Sequence, residues 1–329
     1  MVLKSLSIIP YYKYIMMRFF LLTCCLLQIL SSYGQSENLL RDYYYTVNLA
    51  ELSIIDNNLP EAKRKYEKAF STGYSFPSDK FNAFAVSYFM KDTIKSIEYF
   101  NDLAALGQDK GKFIKYFLHS DPKPNPYIDF VTKDYKDIHE KVMKSEMPIL
   151  AKKMDAIFQM DQDCRNNGPD DDLLNCDRKV REQLYAFIDT YGFPSYKKVG
   201  VLEEGVIQAT NVGNFDMMLW HCSGLPDEKI YSIGLENVKK GIYDARRFAM
   251  GFFYQGSEYQ VGVPYDPITQ EELDAINKKR AEIYLEPIQD YMRKVAYHTK
   301  NELYYRGDYC FLDPFLCIYS INQTLVIKE

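Results

Sequence analysis

The side chains in this 329-residue chain that are best suited to chemistry stand at a few points between Asp161 and Arg280. His221 comes first, because imidazole is the group that most readily moves protons near neutrality. Asp161 and Arg165 are four residues apart, so on a helix they pair on one face, with Gln162 beside them. Arg246 is followed by two glutamines, Gln255 and Gln260, and Arg280 offers a guanidinium fit for a carboxylate or phosphate. Each has a plainer structural reading. His221 serves equally as a hydrogen-bonded core or rim histidine, Asp161–Arg165 as an ion pair closing a helix, and Arg280 as a brace between helices. Cys222 follows His221 directly, but neighbours in sequence point to different sides of a helix, so the two do not form a nucleophilic pair.

Other chemistries find little support. No two histidines stand at ligand spacing and there is no Cys-x-x-Cys, so no metal site is expected. Asp161, Asp163 and Asp172 imitate the first, third and last positions of a calcium loop. Asn166 stands where that loop needs glycine, and Asp172 is shorter than the usual bidentate glutamate. Asp170-Asp171-Asp172 reads as a solvated acidic run. Gly-x-Ser-x-Gly, phosphate-loop and dinucleotide glycine patterns are absent, so no cofactor is expected. Whether the chain is an enzyme stays open at this stage.

The elements that must hold these residues are helical. From Met147, the residues Ile149, Leu150, Met154, Ile157 and Phe158 fall on one helical face. Val180, Leu184, Phe187, Ile188 and Tyr191 form a second stripe, stopped at a Gly192-Phe193-Pro194 turn. A helical stretch is predicted from about 227 to 253. Thr269 with Glu272 forms a capping box, and Pro287 opens the next helix. Only the tail alternates, where 309–319 and 324–328 could be short strands. The expected fold is mainly α. Residues 36–120 are read as helical hairpins, 121–144 as a proline-rich linker, 145–298 as a helical domain and 299–329 as a tail.

Two resemblances follow from these patterns. Ala62, Tyr66 and Ala69 recur as Ser96, Phe100 and Leu103, a spacing similar to the second helix of a tetratricopeptide repeat. The usual Trp and Gly positions of that repeat are not met. Over about residues 147–298 the chain resembles an uncharacterised bacterial family. The blocks are Asp161-Gln162-x-x-Arg165, Gly192-x-Pro194 with Val199-Gly200, His221, Arg246 with Gln255 and Gln260, and Arg280-Ala281-Glu282-x-x-Leu285 with Pro287. That family often follows an export signal and has no established activity, so the resemblance implies a domain and a compartment but no reaction. The chain departs from the family pattern around the histidine (Trp220, Cys222, Ser223). It also departs at Ala245, where the family has an acid, and at Ser257-Glu258-Tyr259, where it has Tyr-Gly-Thr.

Compartment and partners come from the ends and the charge. Residues 1–34 read as an export signal, with Arg18 before the apolar run Phe19–Leu30 and small residues before Gln35; Met16 or Met17 is a candidate true start. Cys24 or Cys25 gives a lipid-anchored alternative. The segment carries Lys4, Lys13 and Arg18 and no acid, so the mature body is more acidic than the formal net charge of −5. An acidic body argues against nucleic acid as a partner, and no transmembrane helix is expected after cleavage. In an oxidising compartment Cys164 and Cys176, and Cys310 and Cys317, could each close a short loop, leaving Cys222 free; the alternative is that all five are reduced. Two functional readings stand. One is a periplasmic or secreted interaction or structural module that meets another envelope protein through its helical hairpins. The other is a hydrolase-like or small-ligand-binding domain with a pocket around His221.

Overall fold

A computed structural model describes residues 37–118, 125–167, 173–201, 214–222, 228–251 and 268–300, and these are almost entirely α-helical. Residues 1–36 with Cys24 and Cys25, Gln255, Gln260, and the tail with Cys310 and Cys317 lie outside the described residues. The first four helices are α1 (37–55), α2 (Leu59–Phe70), α3 (Pro77–Phe89) and α4 (Thr93–Ala105). Caps fix their starts: the side chain of Asn58 accepts from the Glu61 amide, with Pro60 in the first turn, and that of Asp92 accepts from the Lys95 amide. Ala62, Tyr66 and Ala69 in α2, and Ser96, Phe100 and Leu103 in α4, are all completely buried, each set on one face. Helix α3 is buried on nearly every side. Its Phe81, Phe84 and Tyr88 meet Phe113 and Phe117 of α5 (Lys110–Leu118) edge-on, the orientation that aromatic quadrupoles prefer.

The stretch expected to be a linker departs from that expectation. Within 121–144 the structure has α6 (Pro126–Val131) and α7 (Tyr135–Met143), packed beside α4 with Ile128, Val131 and Val142 buried. The reason is local. Pro126 stands in the first helical turn, where a missing N–H costs nothing, and the Asn125 side chain accepts from the amides of Tyr127 and Ile128. A proline that reads as a breaker is here a helix starter.

The rest of the chain forms α8 (Met147–Asn167), α9 (Leu173–Tyr191), the short α10 (Tyr196–Val199), α11 (Asn214–Cys222), α12 (Glu228–Lys239), α13 (Ala245–Gly251), α14 (Gln270–Glu282) and α15 (Ile288–Lys300). The stretch 227–253 is broken rather than continuous, because α12 ends before Gly241, whose φ of +66° leaves the helix. The capping box at Thr269 and Glu272 is present. Ile149, expected on the core stripe of α8, is exposed, while Leu150, Ala151 and Met154 are buried. Between α10 and the hairpins, Gly200 adopts φ +68° and sits so close to the Leu106 carbonyl and Met147 that no side chain fits. The Val201 amide donates to the Leu106 carbonyl at 2.8 Å, fixing that junction. Among the described residues no helix is long and apolar enough to cross a membrane.

Candidate functional site

Three apolar stripes deliver polar side chains to one place. In α8 the inward face that carries Leu150 and Met154 continues to Asp161 and Arg165. In α9 the face of Val180, Leu184 and Phe187 begins with Cys176 and Asp177. In α11 Met218, Leu219 and Cys222 are buried, and His221 follows Met218 by three residues. A Cys164–Cys176 disulfide joins the end of α8 to the start of α9. It therefore sits immediately before both Arg165 and Asp177 in sequence.

The resulting cluster is tight. His221 Nδ1 lies 2.8 Å from Asp161 Oδ2 and 2.8 Å from Arg165 Nε. Arg165 Nε is also 3.1 Å from Asp161 Oδ1, and its Nη2 donates to Asp177 Oδ1. Gln162 Nε2 donates to Asp161 Oδ2 at 2.8 Å. Asp161 is fully buried, whereas the side chains of His221 and Arg165 keep 18% and 22% of their surface exposed. Burial works to raise the Asp161 carboxyl, but the hydrogen bond and charge of His221 and the Arg165 guanidinium outweigh it, so it sits below the usual carboxylate range. Burial dominates at Asp177 and raises it despite Arg165.

The chemistry follows from the ring. One Nδ1 cannot both donate to Asp161 and accept from Arg165. With Asp161 ionised and Arg165 Nε already facing Oδ1, the consistent arrangement has Nδ1–H donating to the carboxylate. Nε2 is then left as a proton acceptor, as in carboxylate–histidine pairs generally. Arg165 fills the space between Asp161 and Asp177 that a cation would otherwise take. Among the described residues no group of His, Cys, Asp or Glu is arranged to hold a metal ion, and no hydroxyl or thiol hydrogen-bonds His221. Cys222 is no nucleophile: burial, followed by the nearby Asp177 and Asp161 charges, pushes its thiol up to about 12, and it faces the Asp177 carbonyl.

Arg246 and Arg280 belong elsewhere. Arg246 donates from Nη1 and Nη2 to the two oxygens of Asp79 (2.8 and 2.9 Å), from Nη2 and Nε to Asp244 (2.7 and 3.0 Å), and from Nη2 to Ser78 Oγ (3.1 Å). The Tyr43 hydroxyl also donates to Asp79. Beside it, Lys294 pairs with Glu51 and Glu286, and Arg280 Nε donates to the Glu286 carbonyl at 2.7 Å. Burial foremost raises Glu51 and Asp79. At Glu286 burial is outweighed by Lys294 and Arg280, which hold it at about 2. These groups form a buried seam between α1 and α3 on one side and α13, α14 and α15 on the other. His221 and Arg246 share no hydrogen-bond partner among the described residues.

So the structure gathers Asp161, Gln162, Arg165 and His221 and sends Arg246 and Arg280 to the seam. Asp177, Asp79, Asp244, Glu51 and Lys294 escaped sequence reasoning. A signal existed for one of them: a bridge between Cys164 and Cys176 puts the following residues, Arg165 and Asp177, side by side. Comparison with known proteins finds no matching family model, curated protein or solved structure.

Proposed function

We propose that the chain is an exported, non-catalytic interaction module of the cell envelope. The observation that carries this reading is the seam, where the arginines that could have gripped a substrate, Arg246 and Arg280, are buried and bonded between helices. A helical scaffold braced in this way presents surface rather than a reaction centre. The Cys164–Cys176 bridge suits an oxidising compartment, in keeping with an export signal over residues 1–34. The hairpin pair α1–α4 carries exposed apolar side chains, Tyr45 on α1 and Ile94 on α4, 64% and 78% exposed. Each offers an apolar contact point to another envelope protein. The test is in cells: the envelope form should begin at Gln35 or within a few residues by mass analysis. A photo-crosslinker at position 45 or 94 should trap one discrete partner. An uncleaved cytoplasmic chain overturns the export half, and no adduct at either position overturns the interaction half.

A second reading rests on one specific observation, the 2.8 Å approach of His221 Nδ1 to Asp161 Oδ2. It makes the cluster a general base of a hydrolase-like or small-ligand site. A panel of ester and amide substrates decides it, with turnover lost in both His221→Gln and Asp161→Asn supporting this alternative.

A further inference from the structure

A cavity of about 480 Å³ opens between the start of α3, the end of α4, α10 and the end of α12. That volume is within the range of sites for small organic ligands. Its walls are apolar and aromatic, from Phe76, Leu106, Phe193, Tyr196 and Ile242. Its charged groups are Lys80, Lys197 and Lys198 against a single acid, Asp102.

The three lysines are held differently. Lys80 is largely buried, 2.6 Å from Asp102 and over the ring of Phe70. Lys198 donates from Nζ to the Tyr191 carbonyl, with no carboxylate beside it among the described residues. Lys197 is exposed and makes no ion pair with any described residue. Two of the three ammonium groups therefore have no carboxylate partner among the described residues, on a chain whose formal net charge is −5. A neighbouring cavity of about 980 Å³ shares Ala105, Ser195, Lys197 and Lys198 and adds Lys141 and Glu146, so both lysines of α10 stand where two cavities meet.

Two glycines shape the walls. Gly192 at φ +77° leaves room for the Lys198 ammonium, since a Cβ there would stand 2.6 Å from Nζ. The far end of α10 is locked by the Gly200 and Val201 junction described above. The Gly192-Phe193-Pro194 turn thus supplies Phe193 to one wall of the pocket.

We propose that this cavity binds a small organic anion, a phosphate monoester or carboxylate carried on an apolar or aromatic body. The anionic end would meet Lys197 and Lys198 and the body would lie against Phe76, Phe193 and Ile242. This goes beyond the interaction reading and uses neither Tyr45, Ile94 nor His221, so either proposal can fail alone.

The test is calorimetric titration of the mature chain with phenyl phosphate, phenol and inorganic phosphate. Phenyl phosphate is expected to bind saturably, one per chain, and more weakly as salt rises. Phenol and inorganic phosphate should each bind at least about tenfold more weakly, because each lacks one half of the recognition. Lys197→Glu should weaken phenyl phosphate binding by about tenfold or more. Ile242→Glu, at another lining position and 41% exposed in the native chain, should do the same. Both changes are at exposed positions, and circular dichroism checks the fold. Absence of saturable binding, unchanged affinity in both variants, or equal affinity for phenol or inorganic phosphate overturns the proposal. Vesicles containing phosphatidate then assign the source: sedimentation reversed by phenyl phosphate marks a lipid headgroup, and a chain left in the supernatant marks a free ligand.

Discussion

Two arginine–aspartate clusters differ in what encloses the arginine. Around Arg246 the partners arrive from α1, α3 and α13, the aspartates are almost fully buried, and both Asp79 oxygens are occupied by the guanidinium. Around Arg165 the partners come from α8, α9 and α11, a fifth of the arginine's side-chain surface stays exposed, and a histidine ring shares the same carboxylate. A charged cluster with every donor placed between helices acts as a weld. One that leaves a ring nitrogen uncommitted among the described residues retains the capacity for chemistry. The difference lies in closure, since the residue types are nearly the same.

Breaking the weld should have the larger effect. Arg246→Ala leaves Asp79 and Asp244 buried without their counterion and should destabilise by about 3–5 kcal/mol, read as a fall in the urea midpoint at constant slope. Arg246→Lys should recover only part of this, because an ammonium cannot span both aspartates as the fork does. A loss under about 1 kcal/mol would place the seam among ordinary surface pairs and erase the contrast.

Next in size is the disulfide. Replacing Cys164 and Cys176 by serine opens a 12-residue separation and should cost about 3 kcal/mol. The effect should be specific, with the Arg165–Asp177 contact loosened while the seam is intact. If hydrogen exchange rises no more in α8 and α9 than in α1 and α15, the bridge is not a local clamp on the His221 cluster.

Acid should separate the clusters by a smaller net change. Glu286 has a folded value of about 2 against 4.5 unfolded, so its contribution is present above pH about 4.5 and is lost as pH falls toward 2. Asp161, also lowered, acts in the same direction. Glu51 and Asp79 are raised, so their stability lies on the acid side and is lost as pH rises. They offset part of the Glu286 loss. The seam should therefore hold better in mild acid than Glu286 alone implies. Stability that falls from pH 7 to 5 (a window above all these carboxylates' unfolded values) would contradict the assignment.

Much of the helical framework was legible from sequence because its signals are local. The caps at Asn58 and Asp92, the capping box at Thr269 and the period of the α9 stripe all act within a few residues. Asp161 with Arg165 was legible for the same reason, being one helical turn apart. Asp79 was not, since its partner Arg246 is 167 residues away and leaves no periodic trace. Nor did α3 advertise an ion site, because an acid in a helix's first turn, as Asp79 is, reads as ordinary N-terminal charge. Pro126 misled because a proline in a first turn and a proline in a linker look alike until the cap before it is weighed.

The smallest expected effect concerns a single proton, and it tests the contrast most directly. If the His221 cluster is open, Nδ1 carries the hydrogen toward Asp161 and Nε2 is bare, and nitrogen chemical shifts of the ring should report that tautomer. The chain has four histidines, and the resonance missing from His221→Gln assigns the one that matters. Asp161→Asn should then shift the ring toward the Nε2–H form, since the carboxylate that holds the Nδ1 hydrogen is gone. A different result is equally informative. If the unaltered ring is already Nε2–H, then Nδ1 accepts from Arg165 Nε at 2.8 Å and the histidine is one more structural acceptor. The cluster would then match the seam in kind, differing only in depth of burial, and the general-base reading of His221 would fall with it.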